Sequence, residues 1–453
     1  MSPDELVYLR ILAASFPIGF LFRYPSEYSI WAITIATCQV CALHSLVTVL
    51  GTWIIIKSSW RSAPALSLAW TFLYLLFFRL VTWFGLPPPT SFANAIQLLL
   101  TLKMVSLANE VQSFHLEKKQ EVSSFSKSPV VGGLSQEPSL YDMIAYSYCY
   151  VGIMTGPFFR FQTYVDWLRQ PSSLDLPGWV PCMLRLRLVP VYGALFLTAN
   201  MYFPLAYVRT EEFLEHHFFF RLFYMTVVFF VFRMRFYDAW CGAEAGCISA
   251  GLGCYPEGAL SKPGGGPTVN YRQPDPESPV VYDFKTIQNI DPYNTTSLHL
   301  PQLPLQGLRT QVRALCRAGW TMFISAYWHG LHASYYLSFL TIPLCIAAES
   351  AMEASVRAKL GPRGQSAFDW VHWFLKMRAY DYMCMGFVLL KASDTVHYWT
   401  SIYFIIHIIA LACILFGRLM KGGKRERQKS EKEEKIEGEK KEVKQEDMRE
   451  KTE

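Results

Sequence analysis

Charge is scarce in this chain. Asp, Glu, Lys and Arg make up 17% of its 453 residues, against about 25% in a typical soluble domain. Much of that charge is gathered at the end, where 12 basic and 11 acidic residues fall from Lys421 onward. The body before Lys421 is more apolar still, which excludes a water-soluble globular protein. Basic clusters of the nucleic-acid type are also missing, and a formal net charge of +6 is too modest and too spread to bind a phosphate polymer. The 11 cysteines are odd in number and scattered. Cys38 and Cys41 form a C-x-x-C inside an apolar run without the turn of a redox or zinc site, and Cys241, Cys247 and Cys254 lack zinc-like spacing. Buried thiols are expected, with no metal and no cofactor. No internal repeat is visible. A cleavable signal is not expected either: MSPDELVYLRILAASFPIGFLF carries acids where a basic region belongs, and Arg10 and Pro17 interrupt its apolar run. It reads as a retained first helix.

What the chain has instead is long apolar, aromatic runs. His397–Phe416 contains no Lys, Arg, Asp or Glu and is long enough to span about 30 Å of hydrocarbon as a helix. Ile30–Ile56 is a second uncharged run. Leu66–Phe78, Phe92–Leu102, Tyr141–Phe159, Val189–Phe203, Phe218–Phe232, Trp320–Ala348 and Trp370–Leu390 are further candidates. Several are short or contain a charge and suit re-entrant pieces, which exist only when buried in protein or lining a cavity. The expected fold class is all-α: a polytopic integral membrane protein with about eight to eleven membrane-embedded helices, formed by residues 1–420, with 421–453 a charged tail outside it.

Two polar interruptions divide this body. His115–Pro138 and the Pro- and Gly-rich stretch Tyr255–Asn294 both have loop composition. The tail alternates Lys, Arg and Glu and is expected to be disordered or a solvated helix. Arg418, Lys421, Lys424, Arg425 and Arg427 follow the last apolar run, which places that end in the cytosol by the positive-inside rule. Asn294-Thr295-Thr296 is a formal glycosylation acceptor, a match short enough to arise by chance.

Ionisable residues inside apolar sequence are costly and so are the first functional candidates. Arg79 reads as a snorkelling arginine at an interface, and Arg160 stands in GPFFRF. Lys376, Arg378 and Asp381 lie close together on one helix and are expected to pair with one another. Arg233 and Arg235 flank Met234 among aromatics; a cationic pocket for phosphate and a helix end at the headgroup level are equal readings. The sharpest feature is Ser325-Ala326-Tyr327-Trp328-His329-Gly330-Leu331-His332. Desolvation penalises a charged imidazole in apolar surroundings, and a neutral one accepts the proton of an alcohol as a general base does. Gly330 leaves room beside it for a substrate or a second helix. On chemistry alone, a lone histidine on an apolar face is more often one that hydrogen-bonds in a core.

A Trp-His-Gly late in a polytopic, aromatic-rich chain resembles the membrane-bound O-acyltransferase family. Four long runs, Tyr146–Arg160, Phe232–Trp240, Ser325–Cys345 and Asp369–Leu390, resemble its lysophosphatidylinositol acyltransferase branch. The resemblance covers about residues 1–290 and 317–420. It implies transfer of an acyl chain, with a preference for polyunsaturated chains such as arachidonoyl, from acyl-CoA to lysophosphatidylinositol in the endoplasmic reticulum membrane, as a step of phospholipid remodelling. By the same resemblance His329 is the catalytic base. Arg233, Arg235, His332 and Trp328 are candidates for substrate binding. Acyl-CoA is then a co-substrate and membrane lipid the other partner.

The chain departs from that pattern over residues 292–319. The family pairs its His with an upstream Asn in a W-N-x-x-x-x-W-W helix, whereas PYNTTSLHLPQLPLQGLRTQVRALCRAG has no Trp before Trp320 and no comparable Asn. Pro301, Pro304 and Gly307 argue against a membrane helix there. Asn289 and Asn294 belong to the preceding loop. An enzyme with little or no turnover and a catalytically silent lipid-binding or scaffolding protein of the same fold are therefore both expected readings. A secondary transporter is a weaker one, since no paired halves are seen.

Overall fold

The computed structural model describes residues 13, 42–123, 132–149, 151, 156–169, 176, 178–269, 281–287 and 310–420. The retained first helix, the Cys38–Cys41 pair, the Asn294 acceptor, the charged tail and residues 292–309 of the departing segment lie outside them. The described chain is mostly helical, with almost no strand. It divides into two compact units, Met1–Ala199 with Val231–Leu303, and Asn200–Phe230 with Pro304–Glu453.

The first unit contains helices α1 (Ala42–Ser58), α2 (Ala63–Arg79), α3 (Ser91–Ser123), α4 (Leu140–Ser147), α5 (Phe161–Arg169) and α6 (Trp179–Leu186). Most of α7 (Val189–Tyr202) and the later part of α8 (Phe218–Ser249) also belong to it. Local chemistry sets several of the ends. Helix α2 has Pro at its first turn, where the missing N–H costs nothing. Helix α4 starts at a capping box: the Asp142 amide donates to Ser139 Oγ at 3.2 Å, and the Ser139 amide donates to Asp142 Oδ2 at 2.9 Å. The free amides of Phe161 and Gln162 at the start of α5 donate to the Glu110 carboxylate of α3 at 3.2 and 3.1 Å. Met104, Leu107, Val111, Tyr146, Phe159 and Ile248 are buried together in the core. The Pro- and Gly-rich stretch forms a short antiparallel pair, β1 (Tyr255–Pro256) and β2 (Tyr282–Asp283).

The second unit holds the first part of α8 with α9 (Thr310–His329), α10 (Ala333–Ser355), α11 (Pro362–Leu389), α12 (Ala392–Ser401) and α13 (Ile405–Met420). Phe213, Tyr224, Tyr382, Tyr398, Trp399 and Ile402 form its largest buried cluster.

Among the described residues, Trp179–Arg209 and Ala333–Lys359 are long and apolar enough to cross a membrane, and α12 with α13 adds a third if that bent pair is one span. The count of eight to eleven membrane-embedded helices is therefore not confirmed among the described residues, and several runs depart from the expected single helix. Among its described residues, Tyr141–Phe159 is helical only to Ser147, and 156–160 is not helical, consistent with Pro157, which cannot continue a helix. Phe92–Leu102 belongs to a helix that runs on to Ser123, into the stretch expected to be loop. Phe218–Phe232 likewise continues to Ser249, so Arg233 and Arg235 do not mark a helix end. His397–Phe416, expected as one helix, is broken: α12 and α13 meet at 69°. The Phe404 amide donates to Trp399 O at 2.8 Å and the Tyr403 amide to Thr400 O at 2.9 Å. Those two bonds close a Schellman motif. Its left-handed position is filled by Tyr403, at φ 56°, where glycine is usual.

Candidate active site

His329 is the last residue of α9, and the chain turns through Gly330 and Leu331 to His332, which caps the start of α10. The Gly330 amide still donates to Ala326 O at 3.0 Å, so the helix closes normally before the chain departs. A Cβ on Gly330 would lie 2.6 Å from Cε2 of Tyr335. The close approach expected at this glycine is thus made by the Tyr335 ring of the next helix.

The ring of His329 sits in an aromatic nest. Phe339 of α10 stacks on it at 5.0 Å and 30°, Phe387 of α11 meets it edge-on at 5.2 Å, and Trp328 lies 4.8 Å away. Phe339 is buried with Met322 and Ala326 behind it, and Tyr335, Tyr336, Ile342 and Phe387 pack against that cluster. His329 is itself half-buried. Aromatic walls of this kind fix the imidazole plane and keep water from one face. His332 is exposed and meets Tyr335 edge-on at 5.6 Å. Trp328, His329 and His332 are therefore brought into one constellation through Tyr335 and the helix break. Arg233 and Arg235 belong to the first unit, on α8, the former half-buried and the latter exposed.

The charged group on α11 shows its expected mutual pairing only in part. Arg378 Nε donates to Asp381 Oδ2 at 2.6 Å, and Thr226 Oγ1 donates to the same fully buried carboxylate at 2.9 Å. Lys376 turns to another helix and donates to Glu349 Oε1 of α10 at 3.1 Å. On a helix, Lys376 and Asp381 are five residues apart and do not share a face.

Three features escaped sequence reasoning. Phe339 and Phe387, which hold His329, are single aromatics in runs rich in aromatics and carry no distinguishing signal. The Tyr382 hydroxyl meets His407 Nδ1 at 2.8 Å, with Thr341 Oγ1 3.3 Å from Nε2, and Trp399 stacks on Tyr382 at 4.5 Å and 9°. His407, an ionisable residue within the last apolar run, was the available clue. Thr226, the second partner of Asp381, had none.

A model of the membrane-bound O-acyltransferase family matches residues 26–294. The membrane-bound acylglycerophosphatidylinositol O-acyltransferase mboat7 of Danio rerio is 71% identical over 466 residues, covering 97% of this chain and 98% of that protein. The human protein of the same description, MBOAT7, is 51% identical over 459 residues, covering 95% and 97%. A more distant relative, Drosophila melanogaster frj, is 27% identical over 461 residues and covers 92% of each chain. All three alignments are longer than this chain of 453 residues, so these relatives have residues opposite which it has none.

Proposed function

The chain belongs to the membrane-bound O-acyltransferase family, and on that premise we propose that it is a lysophosphatidylinositol acyltransferase with His329 as its general base. The observation that carries the reading is the placement of His329: the end of α9, half-buried among aromatic rings, at a glycine break. Acyl-CoA is the donor in this proposal, an arachidonoyl or similar chain the transferred group, and the endoplasmic reticulum membrane the location. In the reaction, the imidazole takes the proton of the lysolipid hydroxyl as its oxygen attacks the thioester carbonyl. The tetrahedral intermediate collapses by breaking the C–S bond. The coenzyme A thiolate leaves and recovers the proton from the imidazolium, so the base is regenerated and no metal or redox partner is required. Trp328 and His332 are assigned to the substrate by their place on either side of His329. Arg233 and Arg235 are proposed as cations for a phosphate on their sequence pattern. A lipid acceptor and a long-chain thioester both partition into a bilayer, which suits a base framed by aromatics rather than by water.

A second reading is favoured by a specific observation. The family match ends at Asn294, the sequence from there to Trp320 has no W-N-x-x-x-x-W-W pattern, and the aligned relatives have residues opposite which this chain has none. With no Asn to position the substrate, we propose that turnover by the chain as it stands is low, and in the limit absent, leaving a lipid-binding protein of the same fold. Acyl transfer from labelled arachidonoyl-CoA, with lysophospholipids compared side by side in membranes, tests both readings. Turnover selective for lysophosphatidylinositol and lost in His329→Ala supports the enzyme. Turnover indifferent to His329→Ala refutes the assignment of the base.

A further inference from the structure

We infer that Ser338 and Gly386 are positioning residues for His329: the point where α10 crosses α11 sets the two aromatic walls that hold the imidazole. The inference rests on His329 as the proposed base and deepens that reading. Phe339 of α10 stacks on the imidazole at 5.0 Å and 30°, and Phe387 of α11 meets it edge-on at 5.2 Å and 84°. Ser338 and Gly386 are the residues immediately before those two rings, and they face each other. A Cβ on Gly386 would overlap Ser338 Oγ, and the Ser338 hydroxyl donates to Met383 O of α11 at 2.8 Å. Both residues are buried. Glycine is a poor helix residue, and this close crossing is what its missing Cβ permits. Successive helix residues point about 100° apart, so the pair in contact turns the next pair to another side, where His329 lies.

The crossing has little slack. The same Cβ would lie 3.1 Å from Thr395 Cγ2 and 3.4 Å from Trp399 Cζ2 of α12, so the space beside Gly386 is closed on those sides too. One turn before Ser338, Ser334 Oγ lies 2.9 Å from Thr395 Oγ1. Thr395 gives its own proton to Lys391 O at 3.1 Å, so Ser334 is the donor. Ser334 and Ser338 are four residues apart and share a helix face, and their hydroxyls tie that face to α12 and α11. The walls themselves touch: Phe339 and Phe387 are 6.1 Å apart, and Tyr335 is 4.7 Å from Phe387. One ring lies along the imidazole face and the other across its edge. If the two helices separate, the imidazole cannot follow both rings, and its orientation is lost.

The test uses the full chain purified in mild detergent and treated with diethylpyrocarbonate, which acylates accessible imidazole nitrogens. Modification of each histidine is followed by tandem mass spectrometry, with the exposed His332 and His397 as references. Gly386→Ala is expected to raise the rate at His329 by about fivefold, the factor that overpacking of this kind gives, and to leave both references unchanged. Gly386→Ala/Ser338→Ala removes the hydroxyl that the new Cβ meets and should return His329 to the parent rate, while Ser338→Ala alone should alter it little. Should Gly386→Ala fail to fold, Ser338→Thr adds a methyl at the same crossing and should act in the same direction. An unchanged rate at His329, a double variant that does not restore it, or a parallel rise at all three histidines would overturn the inference. The readout is the imidazole and not turnover. Its failure leaves His329 standing as the base, and a chain without acyl transfer still reports the crossing.

Discussion

Two helix breaks in the second unit solve the same problem in opposite ways. Between α9 and α10 the chain turns at Gly330, and the absence of a side chain lets Tyr335 pack against the backbone beside His329. Between α12 and α13 it turns at Tyr403 and Phe404, both at positive φ, where L-residues pay roughly 1–2 kcal/mol each. Burial offsets that cost: Trp399 and Ile402 are buried immediately before the turn, and Trp399 stacks on Tyr382. The first break is permitted by a missing Cβ and leaves His329, the proposed base, half-buried at a helix end. The second is imposed by packing.

The comparison is sharpened by five substitutions. In a form competent for acyl transfer, His329→Ala is expected to lower the rate about 10²–10⁴-fold while the melting temperature stays within a degree or two of the parent; His332→Ala should cost less. Trp399→Ala removes a buried aromatic at the packed break and should destabilise the protein by about 3–5 kcal/mol, read by thermal unfolding in detergent. Little change there would show that the 69° bend does not depend on this ring. Gly330→Ala places a Cβ against Tyr335, and overpacking of this kind costs about 1–3 kcal/mol. It should also reduce turnover, since displacing the aromatic wall displaces the imidazole. The smallest effect has the opposite sign. Tyr403→Gly relieves the left-handed strain and should stabilise by about 1 kcal/mol, because Tyr403 is mostly exposed and little packing is lost.

The two breaks also show what a sequence makes legible. His329 was readable because the surrounding run of aromatics is long and specific, but its turn was not: Trp320–Ala348 read as one apolar run, whereas α9 ends at His329 and α10 starts at Ala333 within it. The break at Tyr403 has no glycine or proline, so His397–Phe416 read as one uninterrupted span; its bend comes from the burial of Trp399, a tertiary fact. Apolar composition identified a membrane protein and most of its helices. It could not tell a crossing helix from a buried one, as the short α4 within Tyr141–Phe159 illustrates. Pairing was only partly readable. Arg378 and Asp381 are neighbours on one helix and bond as expected, but the partners of Lys376 and of Asp381 from other helices, Glu349 and Thr226, depend on how helices pack.

The central claim, that the glycine break presents His329 as the base of an acyltransferase, is tested most directly by one assay in membranes lacking endogenous activity. Transfer of labelled arachidonate from acyl-CoA to lysophosphatidylinositol would be measured for the chain as it stands, for a version with a W-N-x-x-x-x-W-W helix in place of residues 292–319, and for that version with His329→Ala. The account predicts little or no product from the first, clear turnover from the second and loss of that turnover in the third. Turnover that survives His329→Ala would contradict it, and robust turnover by the unaltered chain would show that the missing helix is not needed.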